Sequence, residues 1–165
     1  MGLAHGNVDE TSVANIVALI ERNLPTHAFE LRNPDVRDIN ESLKIALPVD
    51  HQDASMVLYV QDADSSFEQR ARSAFAVQLL RQAYFTSLRT EQQLGYVVAI
   101  TNRTIRDRGG ITFIVQSPVA SPANLEAATR SFMDEQLVAI TQMSDDQFAQ
   151  NKAGLISRLL ETDKN

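Results

Sequence analysis

Cysteine is absent from this chain of 165 residues, which excludes disulfide bonds and thiolate metal sites. No stretch approaches the roughly 18 consecutive apolar residues that a membrane-spanning helix needs. The first residues, Met1 to His5, lack the basic and then apolar layout of a signal peptide. Lys and Arg number 15 against 21 Asp and Glu, a net charge of −6. Nucleic-acid-binding modules are usually basic, so neither nucleic acid nor a membrane is expected as a partner.

Apolar residues make up 44% of the chain, as in an ordinary soluble globular domain. There are no internal repeats, no low-complexity tract and no linker rich in proline or glycine. The sequence therefore predicts a single domain over residues 1–165. Nothing in the composition identifies its compartment.

The first predicted element is a helix over residues 9–24. Its apolar residues recur at helical spacing on one face: Val13, Ile16, Val17, Ile20 and Leu24. Asp9 is the expected N-cap, and Pro25 should end the helix. The polar stretch at residues 26–40 is predicted to be a long loop.

Two strands are predicted next, at residues 43–47 and 56–61. A second helix follows, with a capping box formed by Ser65 and Glu68 and a middle that is apolar nearly all round. Residues 86–95 are predicted to form a short helical segment that ends at Gly95 in the left-handed conformation.

Two more strands, at residues 96–101 and 111–116, should form a hairpin. A helix opened by Ser121 and Pro122 comes next, with its inward residues expected at Leu125, Ala128, Phe132, Leu137 and Ile140. The last helix begins at a capping box of Ser144 and Gln147. This order predicts an α+β fold with a mostly antiparallel sheet and helices packed on one face.

Several kinds of catalytic site are missing from the sequence. There is no Gly-x-Ser-x-Gly motif, and Gly109-Gly110 precedes a strand rather than the helix that a phosphate loop requires. His27 and Glu30 begin like the inverted zinc motif His-x-x-Glu-His, but Leu31 occupies the position of the second histidine. His5 and His51 have no partner at ligand spacing, so no metal site is predicted in this chain.

Two groups of charged residues could be assigned to chemistry. The carboxylates of Asp62, Asp64 and Glu68 could serve as acids or bases, but turn and capping roles explain them as well. The arginines of the predicted hairpin tip are Arg103, Arg106 and Arg108. A solvated turn is favoured there over a phosphate site.

Arg89 and Tyr96 form the more informative pair. On a continuous helix they would lie about two turns apart and share a face. Both could donate hydrogen bonds to a peptide carbonyl or to a developing oxyanion. The spacing also allows a structural role, in which Arg89 pairs with a nearby carboxylate and Tyr96 is half-buried with its hydroxyl satisfied.

The run from Phe85 to Val98, which contains Leu-Arg-Thr-Glu-Gln-Gln-Leu-Gly-Tyr, closely resembles a signature of the insulinase/pitrilysin family of zinc metallopeptidases. Residues 113–117 resemble the strand that follows it in that family. Weaker similarities occur at residues 5–7, 59–61 and 143–148, so the resemblance extends over nearly the whole chain.

The resemblance implies an enzyme of two halves built from similar α+β domains. The N-terminal half carries the zinc, and this chain is similar to the C-terminal half, which has no metal. Arg89 and Tyr96 match the residues that reach the substrate near the zinc. The implied partners are a peptide substrate and the zinc-bearing half of the same polypeptide.

The chain is therefore expected to be a fragment of a longer peptidase, truncated at both ends, inactive alone and without a cofactor of its own. The parent would be periplasmic or cytoplasmic. An unpaired sheet edge could cause self-association. The alternative is a structural or interaction domain of the same fold, as in related core subunits of respiratory complexes.

Overall fold

The computed structural model describes residues 5–23 and 36–161. These residues fall in two compact units, Met1–Asp35 and Val36–Asn165. None of the helices described is long and apolar enough to cross a membrane.

The first unit contains helix α1, Glu10–Asn23, close to the predicted bounds. Asp9 caps it as expected, because its Oδ1 accepts a hydrogen bond of 2.7 Å from the Ser12 N–H. Hydrogen bonds from Ser12 lower the pKa of Asp9. The apolar side chains of Ile16, Val17 and Ile20 remain exposed. Leu24, Pro25 and residues 26–35 of the predicted loop lie outside the described residues.

The second unit is built on a sheet of three strands, β1 (Ala54–Gln61), β2 (Val97–Asn102) and β3 (Gly110–Ser117). Their order is β1-β3-β2, and both neighbouring pairs are antiparallel. The structure thus confirms the strand predicted at residues 56–61 and the predicted hairpin.

The strand predicted at residues 43–47 is wrong. Residues 42–49 have no regular secondary structure, and Leu43, Ile45 and Leu47 are exposed, the last by 77%. Alternation of apolar residues specifies which side chains share a face, but a strand also needs a neighbour for its hydrogen bonds. In the described part of the chain no strand pairs with this segment.

Four further helices follow in the second unit: α2 (Phe67–Phe85), a π-helix (Thr86–Glu91), α3 (Pro122–Thr141) and α4 (Asp145–Leu160). The capping box predicted from Ser65 and Glu68 is wrong. The N-cap is Ser66, which accepts a hydrogen bond of 3.2 Å from Gln69, while Glu68 pairs with Arg72 at 2.5 Å.

The capping box of Ser144 and Gln147 is present as predicted. Ser121 caps α3, and Pro122 occupies its first turn. Leu125 and Phe132 point into the core as expected, but Leu137 is 65% exposed. It follows Phe132 by five residues, a rotation of about 140° around the helix, so it cannot share that face.

The core lies between the helices and one face of the sheet. Strand residues Met56, Val98, Ile100, Phe113 and Val115 pack there against helical residues Val77, Leu80, Tyr84, Leu88, Leu125 and Phe132. The prediction of helices on one face of an antiparallel sheet is therefore confirmed.

The opposite face of the sheet, here called the open face, carries the alternate residues of each strand. Ser55, Gln116 and Val97 stand side by side on it, and Val57, Ile114 and Ala99 form the next row. Val57 and Ala99 are exposed, because no helix in residues 36–161 packs over them.

Candidate functional site

A close crossing of two chain segments positions Tyr96 at the start of β2. A Cβ atom added at Gly95 would lie 2.5 Å from the carbonyl oxygen of Gln116 and 2.9 Å from Val115 Cγ1. The prediction of a left-handed Gly95 is wrong, since Gln93 takes that conformation, with φ of 52°. Glycine is needed at position 95 for the close approach to β3 instead.

Arg89 lies on the π-helix, a form that is rare and is often found at functional sites. Its Nη1 donates a hydrogen bond of 2.7 Å to the carbonyl oxygen of Tyr96. Its guanidinium carbon is 5.1 Å from the centre of the Phe85 ring, a cation–π contact. The two residues predicted as a pair are therefore in direct contact, through a π-helix and a turn rather than one continuous helix.

Tyr96 is 47% exposed, and its N–H donates to the Gln116 carbonyl at 3.1 Å. Its hydroxyl donates a hydrogen bond of 2.6 Å to Asp53 Oδ2. This bond, together with partial burial and the charge of Asp53, raises the pKa of Tyr96. The Tyr96 hydroxyl is thus a hydrogen-bond donor to the Asp53 side chain.

Asp53 and Gln116 also belong to this site, although neither was expected there from the sequence. Gln116 Nε2 donates to the same Asp53 Oδ2, at 3.3 Å. Asp53 is 43 residues from Tyr96 in sequence and stands in what reads as a simple turn before β1. Only the strand register, which brings the ends of β1, β2 and β3 together, reveals the contact.

His51 contacts Asp53 in the loop before β1. Its Nδ1 accepts a hydrogen bond of 3.0 Å from the Asp53 N–H. The same Nδ1 is 3.9 Å from Asp53 Oδ1, too far for a hydrogen bond. His51 therefore shapes the loop that presents Asp53.

The described residues do not fit a zinc ion. Residues 5–23 and 36–161 contain no group of three or more potential ligands from His, Asp or Glu side chains. His27, Glu30 and Leu31, which carry the incomplete zinc motif, lie outside the described residues.

Asp62 and Asp64, two of the carboxylates considered for acid–base chemistry, form hydrogen bonds with residues of α2 and its N-cap rather than with Arg89 or Tyr96. Asp62 is only 8% exposed and accepts a hydrogen bond from the Ser73 hydroxyl. Asp64 accepts a hydrogen bond of 2.7 Å from the Ser66 N–H, and the hydrogen bonds from Ser66 lower the pKa of Asp64. Both therefore organise the turn that leads into α2.

The sequence favoured a solvated turn for the three arginines near the hairpin tip, but one of them, Arg108, is not solvated. Arg108 bonds to the carboxylate of Asp38 and donates 2.8 Å to the carbonyl oxygen of Ala63. Its side chain is consequently largely buried. Arg103 and Arg106 are exposed, and Arg106 has φ of 58° in the tight turn.

Comparisons with known proteins agree with this architecture. The family described as "PQQ synthase PqqF-like, C-terminal lobe domain 4" matches residues 75–165. The crystal structure of pitrilysin superposes with a TM-score of 0.63 at 24% identity, covering 70% of this chain and 12% of that one. At that identity the likeness shows the fold alone.

Three relatives extend the comparison. Insulin-degrading enzyme-like 1, peroxisomal, from Arabidopsis thaliana is 30% identical over 69% of this chain and 12% of its own length. The putative zinc protease mug138 of Schizosaccharomyces pombe is 27% identical over 99% of this chain and 18% of its own. Protease 3 of Escherichia coli is 24% identical over 94% of this chain and 16% of its own length.

The chain thus spans between 12% and 18% of the length of these relatives. The family match covers more than half of its residues and includes Arg89, Tyr96 and β3. The chain belongs to the insulinase/pitrilysin family, as a domain of the C-terminal half.

Proposed function

We propose that this chain is the substrate-binding, transition-state-assisting domain in the C-terminal half of a zinc-dependent endopeptidase. The observation that carries the proposal is the direct contact between Arg89 and Tyr96, whose side chains are both exposed. Membership of a peptidase family supports it. A peptide would be the substrate, and the zinc-bearing half of the same polypeptide would be the partner.

Arg89 would supply a fixed donor for a peptide carbonyl. Its bond to the Tyr96 carbonyl uses one of the several N–H groups of a guanidinium, which leaves others available. The contact with the Phe85 ring restrains its plane. A donor that is already oriented loses little entropy when the substrate arrives.

Tyr96 would supply the second donor. When water or hydroxide adds to a peptide carbonyl, negative charge develops on the oxygen, and a hydrogen bond to that oxygen strengthens. Such an interaction, stronger in the transition state than in the ground state, is what raises the chemical rate. The metal chemistry would belong to the other half, since the described residues of this chain do not fit zinc.

A structural or interaction domain of the same fold is the second candidate. One observation favours it: the Arg89 and Tyr96 side chains are already hydrogen-bonded within the domain. In that case both residues would stabilise the start of β2. Neither would then affect turnover per folded molecule.

Arg89→Lys in the full-length peptidase that carries this domain separates the two candidates. Lysine keeps the charge but cannot reproduce the planar fork of donors. We expect turnover of a fluorogenic peptide to fall by about tenfold or more. Arg130→Lys is the matched control, since Arg130 is an exposed arginine on α3 that pairs with Glu126. Unchanged turnover per folded molecule for Arg89→Lys would favour the structural role.

A further inference from the structure

The Tyr96 hydroxyl has a single proton, and in this structure that proton is already committed. It points to Asp53 Oδ2, 2.6 Å away, a short distance typical of a hydrogen bond to a charged acceptor. A tyrosine cannot donate to Asp53 and to a substrate carbonyl at the same time. Use of Tyr96 by a substrate therefore requires an exchange of acceptors.

Asp53 is fixed in place as the acceptor of this hydrogen bond by burial and by further hydrogen bonds. Its side chain is only 15% exposed. The Gln116 amide fixes Oδ2 from β3, and the bond between the Asp53 N–H and His51 fixes the backbone. Three segments, before β1, before β2 and within β3, thus define the position of the Tyr96 proton.

The charge on an oxygen decides whether it can replace Asp53 as the acceptor of the Tyr96 hydrogen bond. A carboxylate accepts a hydrogen bond more strongly than a neutral peptide carbonyl does. A bound but unreacted peptide therefore competes poorly with Asp53. Once the carbonyl oxygen carries negative charge, the two acceptors become comparable.

We infer that Asp53 is a positioning residue that withholds the Tyr96 hydroxyl from neutral peptide carbonyls and yields it to an oxygen carrying negative charge. The inference rests on the proposed function and assigns its selectivity to a carboxylate outside the 85–98 motif. Tyr96 then contributes to kcat while adding little to the binding of the ground-state peptide.

The first measurement uses the chain itself, with tyrosine labelled at the ¹³Cζ position and titrated by NMR. Asp53→Asn keeps the shape of the side chain and removes its charge, so the pKa of Tyr96 should fall towards that of an ordinary tyrosine. Asp50→Asn, in the same exposed loop, is the matched control and should leave the Tyr96 titration unchanged. Identical Tyr96 titrations in Asp53→Asn and wild type would overturn the inference, whatever Tyr96 does in catalysis.

The second measurement uses peptide kinetics in the full-length enzyme. Asp53→Asn should lower KM by about two- to tenfold, the worth of one neutral hydrogen bond, without raising kcat in proportion. In a Tyr96→Phe background the same substitution should leave KM unchanged. A KM that does not fall, or one that falls equally in both backgrounds, would contradict the inference. Failure of the proposed function would be seen separately, as Tyr96→Phe having no effect on kcat.

Discussion

The hydroxyl oxygens of Tyr84 and Thr129 lie 2.9 Å apart in the centre of the core, where both side chains are fully buried. The bond joins α2 to α3. The Tyr84 ring also makes edge contacts with Phe113 and Phe132, with centroids 5.3 and 5.1 Å away. Tyr84 therefore connects two helices to the central strand of the sheet.

This burial predicts a loss of stability at alkaline pH. Burial raises the pKa of Tyr84 from 10.0 to about 12, against a smaller opposing effect of the Thr129 bond. Between these values the unfolded chain releases the proton and the folded chain keeps it, so the free energy of unfolding falls as pH rises. The loss is about 1.4 kcal/mol per pH unit.

Urea unfolding at pH 9 and pH 11 measures this loss. Tyr84→Phe should be less stable at both pH values, because Thr129 loses its hydrogen-bond partner. Its free energy of unfolding should, however, differ less between pH 9 and pH 11 than that of the wild type. If the free energy of unfolding of Tyr84→Phe falls between pH 9 and pH 11 as much as that of the wild type, Tyr84 does not cause the alkaline loss of stability.

Two glycines should respond to alanine with opposite signs. Gly95→Ala brings a Cβ to 2.5 Å from the backbone oxygen of Gln116, so we expect a destabilisation of about 1–3 kcal/mol. Gly154→Ala, within α4, meets only a flexible Gln78 side chain at 3.7 Å. It should stabilise the domain by about 0.5–1 kcal/mol. Thermal or urea unfolding of both variants decides, and a Gly95→Ala protein as stable as wild type would refute the crossing at that position.

Local patterns in the sequence predict much of this fold. Apolar spacing locates the helices and three of the strands, and the helices predicted to open at Ser121 and Ser144 are capped by those serines. These features depend on residues within a few positions of one another. They can therefore be inferred without knowing the rest of the structure.

Features that depend on distant partners could not be predicted. The segment at residues 43–47 has the alternation of a strand but no pairing strand in the described structure. The π-helix, whose buried residue is Leu88, has no propensity signal of its own. Asp53 and Tyr96 are 43 positions apart, so no local pattern links the carboxylate to the tyrosine that it binds. Arg89 and Tyr96, by contrast, are seven positions apart within one motif.

The isolated chain should bind no stoichiometric zinc. It has three histidines and no cysteine, and Leu31 occupies the position that a second ligand of the incomplete motif would need. Metal analysis of purified, chelator-washed protein after incubation with one equivalent of zinc tests this. One zinc retained per chain would contradict the prediction.

The isolated chain should also self-associate. β1 and β2 are the outer strands of the three-stranded sheet that the structure describes, and unpaired strand edges favour pairing between chains. Ile45 and Leu47, which are exposed within the irregular segment at residues 42–49, add apolar surface. Sedimentation velocity over a concentration range should therefore show oligomers.

Ile45→Lys should reduce this association, and Ala46→Lys is the control that adds the same charge at a neighbouring exposed position. A protein that stays monomeric at all concentrations would contradict the prediction.

Arg89 and Tyr96 are proposed to act on the transition state of peptide hydrolysis. The most direct measurement is the steady-state kinetics of Tyr96→Phe in the full-length enzyme, beside its thermal melt and zinc content. Phenylalanine keeps the ring and removes only the hydroxyl, so stability and zinc content should stay close to wild type. We predict that kcat falls by about 10²–10³ while KM changes little, as for loss of one transition-state donor. An unchanged kcat would show that the Tyr96 hydroxyl does not act on the transition state.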